Sequence, residues 1–138
     1  MSRQPPKGRL CQPVTHVLLS SVVQLLEYVN AAAISPFARW REKLDATTRA
    51  RVTVAVLRLE AGNFSAVKGV GAGVFELRLD FDPGYRVYFG KDGDQLVVLL
   101  GGGTKKRQQA DIEAARALWQ DYKRTKRERE NDGKHTKV

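Results

Sequence analysis

Residues 75–106, FELRLDFDPGYRVYFGKDGDQLVVLLGGGTKK, constrain the fold more than any other part of the chain. Phe75, Leu77 and Leu79 fall on one face of an extended segment, and Glu76, Arg78 and Asp80 on the other. Tyr85, Val87 and Phe89 repeat the pattern, with Arg86 and Tyr88 opposite. Asp82-Pro83-Gly84 and Asp92-Gly93 are tight-turn sequences, because proline presets φ and glycine accepts positive φ. Residues 96–100 form an unbroken apolar run, as in a strand buried on both faces. Antiparallel hairpins are therefore predicted. One face is apolar, and the other offers arginines and a tyrosine to phosphates and bases.

Upstream, residues 22–28 read as a first strand. Ser35-Pro36 then supplies a capping residue with proline in the first helical position, and Phe37, Trp40 and Leu44 make one apolar stripe. Asp45 caps a second helix that buries Val52, Ala55, Val56 and Leu59 and closes at Gly62. A short strand at 67–70 turns through Gly71 and Gly73 into the long strand. A last helix over about 106–126 carries Ile112, Ala115, Trp119 and Tyr122 on one stripe. The expected order is β-α-α-β-β-β-β-α, an α+β fold with one small curved antiparallel sheet packed on a helical hairpin and a C-terminal helix.

At 138 residues the chain suffices for one domain with a true core. The net charge of +9 is unevenly spread: residues 1–21 contribute +3, residues 22–122 only +2, and residues 123–138 +4. A nucleic-acid role must therefore rest on arrangement, not on the overall excess. Residues 1–21 read as a flexible extension, 22–122 as the folded domain, and 123–138 as a charged tail that frays. An apolar run near residue 20 is interrupted by Gln24 and Glu27, which favours a cytoplasmic protein over a secreted one. The single cysteine, Cys11, permits no intramolecular disulfide. His16 and His135, the two histidines, lie outside the patterned region. No metal or other cofactor is expected, since the core has no cluster at ligand spacing.

GNFSAVKGVGAGVFELRLDFDPGYRVYF followed by LVVLLGGGTKKRQQADIEAA resembles the RelE/ParE superfamily of toxins, and within it the phage Gp49-like, HigB-related "addiction module killer" branch. The resemblance covers roughly residues 22–122. Its most specific pieces are the GN after helix two, Lys68, the ELR of the long strand, PGYRVYF, and the glycine-glycine-x-lysine turn before the last helix. Such proteins begin near Val22-Val23, so residues 1–21 also fit a misassigned start. The resemblance implies a type II toxin neutralised by a small helix-turn-helix antitoxin. It further implies an endoribonuclease that cuts mRNA, usually on the ribosome, without a metal or small-molecule cofactor and away from membranes.

Cleavage of that kind proceeds by attack of the ribose 2′-OH on the adjacent phosphate. It needs cations on the phosphate oxygens, a base near the 2′-OH and a donor for the leaving 5′-oxygen. Arg86, matching the arginine of the family's GYR, is the first candidate for the transition-state cation, and Arg78 the second. Either could instead sit in an ion pair with a nearby carboxylate. Tyr88, Lys68 and Lys105 complete the catalytic set, with the base left open among these three. Lys106, Arg107 and Arg51 are candidates for RNA binding. Gly101-Gly102-Gly103 could present backbone N–H groups to a phosphate or simply turn the chain from strand to helix. Two other functions share the pattern: a ParE-like inhibitor of DNA gyrase, and a non-catalytic co-repressor that binds its antitoxin.

Overall fold

The computed structural model describes residues 23–81 and 83–136; the expectations for residues 1–21, Val22 and Asp82, and for the His135 side chain, lie outside the described residues. Strand β1 (Gln24–Glu27) leads into helices α1 (Pro36–Glu42) and α2 (Ala46–Glu60), followed by β2 (Val67–Gly71), β3 (Val74–Leu79), β4 (Tyr85–Asp92) and β5 (Leu96–Thr104). A single 3-10 turn, Lys105–Arg107, then opens helix α3 (Gln108–Thr136). The order is the α+β order expected. The sheet runs β1-β5-β4-β3-β2, antiparallel except at one edge, where β1 lies parallel to β5. The parallel pairing follows from connectivity, because the helical hairpin carries the chain back across the sheet before β2 starts.

Local chemistry sets the helix ends. Ser35 accepts the Ala38 N–H, and Asp45 accepts that of Thr48 at 2.7 Å. At the end of α2, Gly62 adopts φ 87°. Its N–H reaches the Leu59 carbonyl, and the Asn63 N–H reaches that of Arg58, a Schellman closure.

The sheet is covered on both faces. Phe37, Val52, Val56 and Leu59 of the hairpin pack on Leu77, Leu79, Val87, Phe89, Val97 and Leu99. On the other face Ile112, Ala115 and Trp119 of α3 pack on Val74, Tyr88, Val98 and Leu100. That second face was expected to be open, and it is not. Val74, Val98 and Leu100 make it apolar enough to require a cover, which the α3 stripe provides. Glycines set how closely the cover lies: a Cβ at Gly90 would run into the Trp119 ring, and one at Gly102 into Trp40.

Two further expectations change. Gly101, Gly102 and Gly103 belong to β5 and pair with Tyr88, Val87 and Arg86, so they form neither a phosphate loop nor a turn. Helix α3 continues to Thr136 instead of ending near Lys126, despite the charge of its last part. Anchors at its middle account for this. Tyr28 donates to Asp121, Tyr122 donates to Asp92 at 2.8 Å, and Lys126 binds the same carboxylate. Beyond them i,i+4 pairs such as Arg124–Glu128 support the solvent-exposed turns.

Gly90→Ala is expected to cost about 1–3 kcal/mol or more by overpacking against Trp119. Gly101→Ala, where an added Cβ meets nothing within 4 Å, should be close to neutral. Urea denaturation of the two variants beside the wild type measures both.

Candidate functional site

Two cross-strand rows carry the candidate residues on the α3 side of the sheet. Lys68, Glu76, Tyr88 and Gly101 are aligned in one, and Arg78, Arg86 and Gly103 in the next. Towards the sheet centre these rows pass beneath the first turns of α3. Glu76 and Tyr88 are each 1% exposed and Arg86 7%. Arg86 Nε lies 3.5 Å from Glu76 Oε1, a charge pair without hydrogen-bond alignment. Gln108 donates to the second Glu76 oxygen at 2.7 Å, and Arg86 Nη1 donates to the Gly84 carbonyl at 3.4 Å. The ion-pair alternative for Arg86 is therefore the observed one, with Glu76 as partner.

The same burial acts on neighbouring acids. Desolvation, reinforced by the charges of Glu76 and Asp111, pushes the Tyr88 phenol far above its ordinary value. In this packing the Tyr88 ring presents no exposed face on which a base could stack. Asp111, in the first turn of α3, packs against Gly103 where any side chain would collide with its carboxylate. Its Oδ2 is buried without a hydrogen-bond partner among the described residues. Burial raises its pKa, opposed by the Arg107 charge. Glu76, Gln108 and Asp111 were not singled out as site residues from sequence. Only the ELR motif and the absence of a side chain at Gly103 hint at them.

At the rim of this cluster lies an open pocket of about 380 Å³, lined by Arg78, Asp80, Phe81, Gly84, Arg86 and Lys105 among others. Its shape depends on the turn before β4. Gly84 has φ 86°, and its carbonyl accepts the Lys105 N–H at 2.8 Å, bringing Lys105 beside Arg86. Arg78 is exposed and pairs with Asp80 at 3.2 Å. Three cations thus converge on one concavity, with Asp80 as its carboxylate among the described residues. An arrangement of this kind can bind a phosphate group in two planar forks and one ammonium.

The remaining candidates lie elsewhere. Lys68 is exposed on edge strand β2, opposite Glu76 in register. Lys106 and Arg107 are exposed on the 3-10 turn next to Lys105. Arg51 lies over the Phe81 ring, 4.6 Å from its centroid, on the α2 side of β3. Among the described residues no three of His, Cys, Asp and Glu gather closely enough to hold a metal ion, and no helix is long and apolar enough to cross a membrane.

Asp111 gives this cluster a pH signature. A carboxyl whose folded pKa is raised resists ionisation that the unfolded chain undergoes near pH 4. Its contribution to stability therefore falls as pH rises through that window and stays low above it. Asp111→Asn is expected to raise the melting temperature at pH 7, with the gain shrinking as pH approaches about 4. Thermal melts of both proteins across this range check the sign.

Comparison with known proteins places these elements in a family. The chain is 42% identical over 86 residues to an uncharacterized protein of Haemophilus influenzae, an alignment covering 62% of this chain and 87% of the relative. The family model for "Phage derived protein Gp49-like (DUF891)" matches residues 39–123, from α1 through the anchored part of α3. The chain belongs to the Gp49-like family, which is associated with toxin–antitoxin modules.

Proposed function

We propose that this chain is the toxin of a type II toxin–antitoxin module of the RelE/ParE kind, an endoribonuclease that cuts mRNA and arrests translation. The observation that carries the reading is the convergence of Arg78, Arg86 and Lys105 on one pocket. In the reaction the 2′-oxygen attacks phosphorus as its proton leaves to a base. The bond to the 5′-oxygen then breaks as an acid donates a proton to that oxygen, giving a 2′,3′-cyclic phosphate and a 5′-hydroxyl. Arg78 and Lys105 hold the non-bridging oxygens as charge builds on them. Arg86, fixed by Glu76, supplies charge from the pocket floor. Asp80 and Lys105 are the lining groups within reach of a proton. Tyr88 supports this wall from beneath and is not the base. Lys68, Lys106 and Arg107 extend the positive surface along the RNA backbone. The partners are mRNA in the cytoplasm, engaged on the ribosome, and a helix-turn-helix antitoxin that neutralises the chain.

A second reading, a gyrase inhibitor of the same superfamily, draws on the burial of Arg86 and Tyr88. Arg86→Ala is a poor arbiter between the two, because it leaves the Glu76 carboxylate buried and unpaired, a loss of about 3–5 kcal/mol. Arg78→Ala combined with Lys105→Ala removes two exposed cations and spares that pair. Parallel amino-acid and thymidine labelling is followed minutes after induction without antitoxin. Protein synthesis is expected to fall first with the wild type, and the double variant should lose about 10²-fold or more in cleavage rate. Thymidine incorporation falling first would favour gyrase, and no change in either would leave only the antitoxin-binding role.

A further inference from the structure

Register pairing between β2 and β3 ends where Val67 faces Leu77; the Arg78 N–H still donates to the Ala66 carbonyl at 3.2 Å, and residues 79–81 run on past it along the sheet edge. The edge and α2 enclose a second cleft of about 510 Å³. Its floor is apolar, formed by Ala55, Leu77 and Leu79, all buried. Its rim is polar and cationic: Arg51, Arg58, Asn63 and Arg78, with Asp80 already paired to Arg78. Arg78, Leu79, Asp80 and Phe81 line both this cleft and the phosphate pocket, so the two share one wall.

A ladder of rings leads to this rim from the core. Trp40 lies against Tyr85 at 6.4 Å, Tyr85 against Phe81 at 5.3 Å, and the Arg51 guanidinium caps Phe81. A planar group entering the cleft meets Arg51, whose guanidinium lies over the Phe81 ring, and guanidinium planes are surfaces on which nucleobases stack. Asn63 is exposed on the rim with its amide oxygen occupied, accepting the Ser65 N–H at 3.0 Å. The amide's other end is an NH2 with two donors, the group that a base-edge acceptor would engage. An aliphatic ligand would make no use of the guanidinium face, and an acidic peptide would make little use of the apolar floor.

We propose that this cleft is a nucleobase subsite, which takes the base of the nucleotide adjoining the phosphate held by Arg78 and Lys105. The inference rests on the RNA-cleavage reading for the neighbouring phosphate but not for the binding of a base. Phosphate contacts position a nucleic acid, and base contacts select its sequence. The cleft is thus where the chain discriminates among cleavage sites.

Two measurements on the full-length protein test the subsite. The first titrates it with AMP, GMP, CMP and UMP, following backbone amide shifts. Shifts at Asn63, Ser65 and Phe81, larger for one base than for the others, are expected. Asn63→Asp keeps the acceptor for Ser65 and removes the donor, so it should abolish that preference. No shift at these residues with any nucleotide at millimolar concentration overturns the proposal. The second maps cut sites in mRNA. Asn63→Asp is expected to relax the base preference beside the cut by roughly tenfold. Lys105→Ala, which touches only the phosphate pocket, should slow every site alike, and an unchanged preference in Asn63→Asp also overturns the subsite. Nucleotide binding in the cleft by a protein that cuts no RNA would support the subsite while sinking the nuclease reading.

Discussion

The charge pair between Arg86 and Glu76 is the constraint on which the functional end of the molecule is built. Two ionised groups on adjacent strands, both almost wholly removed from water, must satisfy each other. Gln108 closes the arrangement from the first turn of α3, so one cluster ties β3, β4 and the start of the covering helix together. The pair also fixes where positive charge can be offered. With its Nε beside Glu76 and one nitrogen on the Gly84 carbonyl, Arg86 reaches the pocket only from its floor. Arg78 and Lys105 hold the exposed positions. The rigid cation lies at the floor and the adaptable ones at the mouth, a preorganised arrangement suited to an anion whose charge increases during a reaction.

The two covered faces of the sheet divide the work. The hairpin side is a closed apolar core that builds a ring ladder outward to Arg51. On the α3 side, the core around Trp119 gives way at one end to the Glu76–Arg86 cluster. The ladder and the cluster both end at residues 78–81 and the turn before β4. Register pairing with β2 stops at Leu77, and ligand-sized clefts lie on either side of the same short segment. Anchoring of α3 is concentrated farther along, at Tyr28–Asp121 and Asp92–Tyr122–Lys126, away from the clefts. Burial and these carboxylates push both phenols up to about 12, so the anchors keep their protons across the physiological range.

Local chemistry was legible in the sequence. Ser35 and Asp45 cap as their side chains dictate, Gly62 closes α2, and alternation assigns Phe75, Leu77 and Leu79 to one face and Glu76 and Arg78 to the other. The stripe Ile112, Ala115, Trp119 is buried as its spacing requires. What alternation cannot say is what covers a face. The face containing Arg86 and Tyr88 looked open because its polar members stood out, whereas Val74, Val98 and Leu100 on other strands decide that α3 lies over it. Two of the three glycines of β5 were ambiguous for the same reason: Trp40 needs the vacant Cβ position of Gly102 and Asp111 that of Gly103, and both are distant in sequence. Of the candidate cations, pairing register brings Arg78 beside Arg86, and the turn at Gly84 adds Lys105. Arg51 lies across the strand on a different cleft, a separation that no local pattern encodes.

The central claim is that the cation pocket performs phosphodiester cleavage. The most direct test incubates the purified protein with ribosomes programmed with a defined mRNA and examines the new RNA ends. The account predicts fragments ending in a 2′,3′-cyclic phosphate with 5′-hydroxyl partners, without added metal, and greatly diminished by Arg78→Ala with Lys105→Ala. Intact mRNA under these conditions, with the same preparation blocking supercoiling by gyrase, would contradict it.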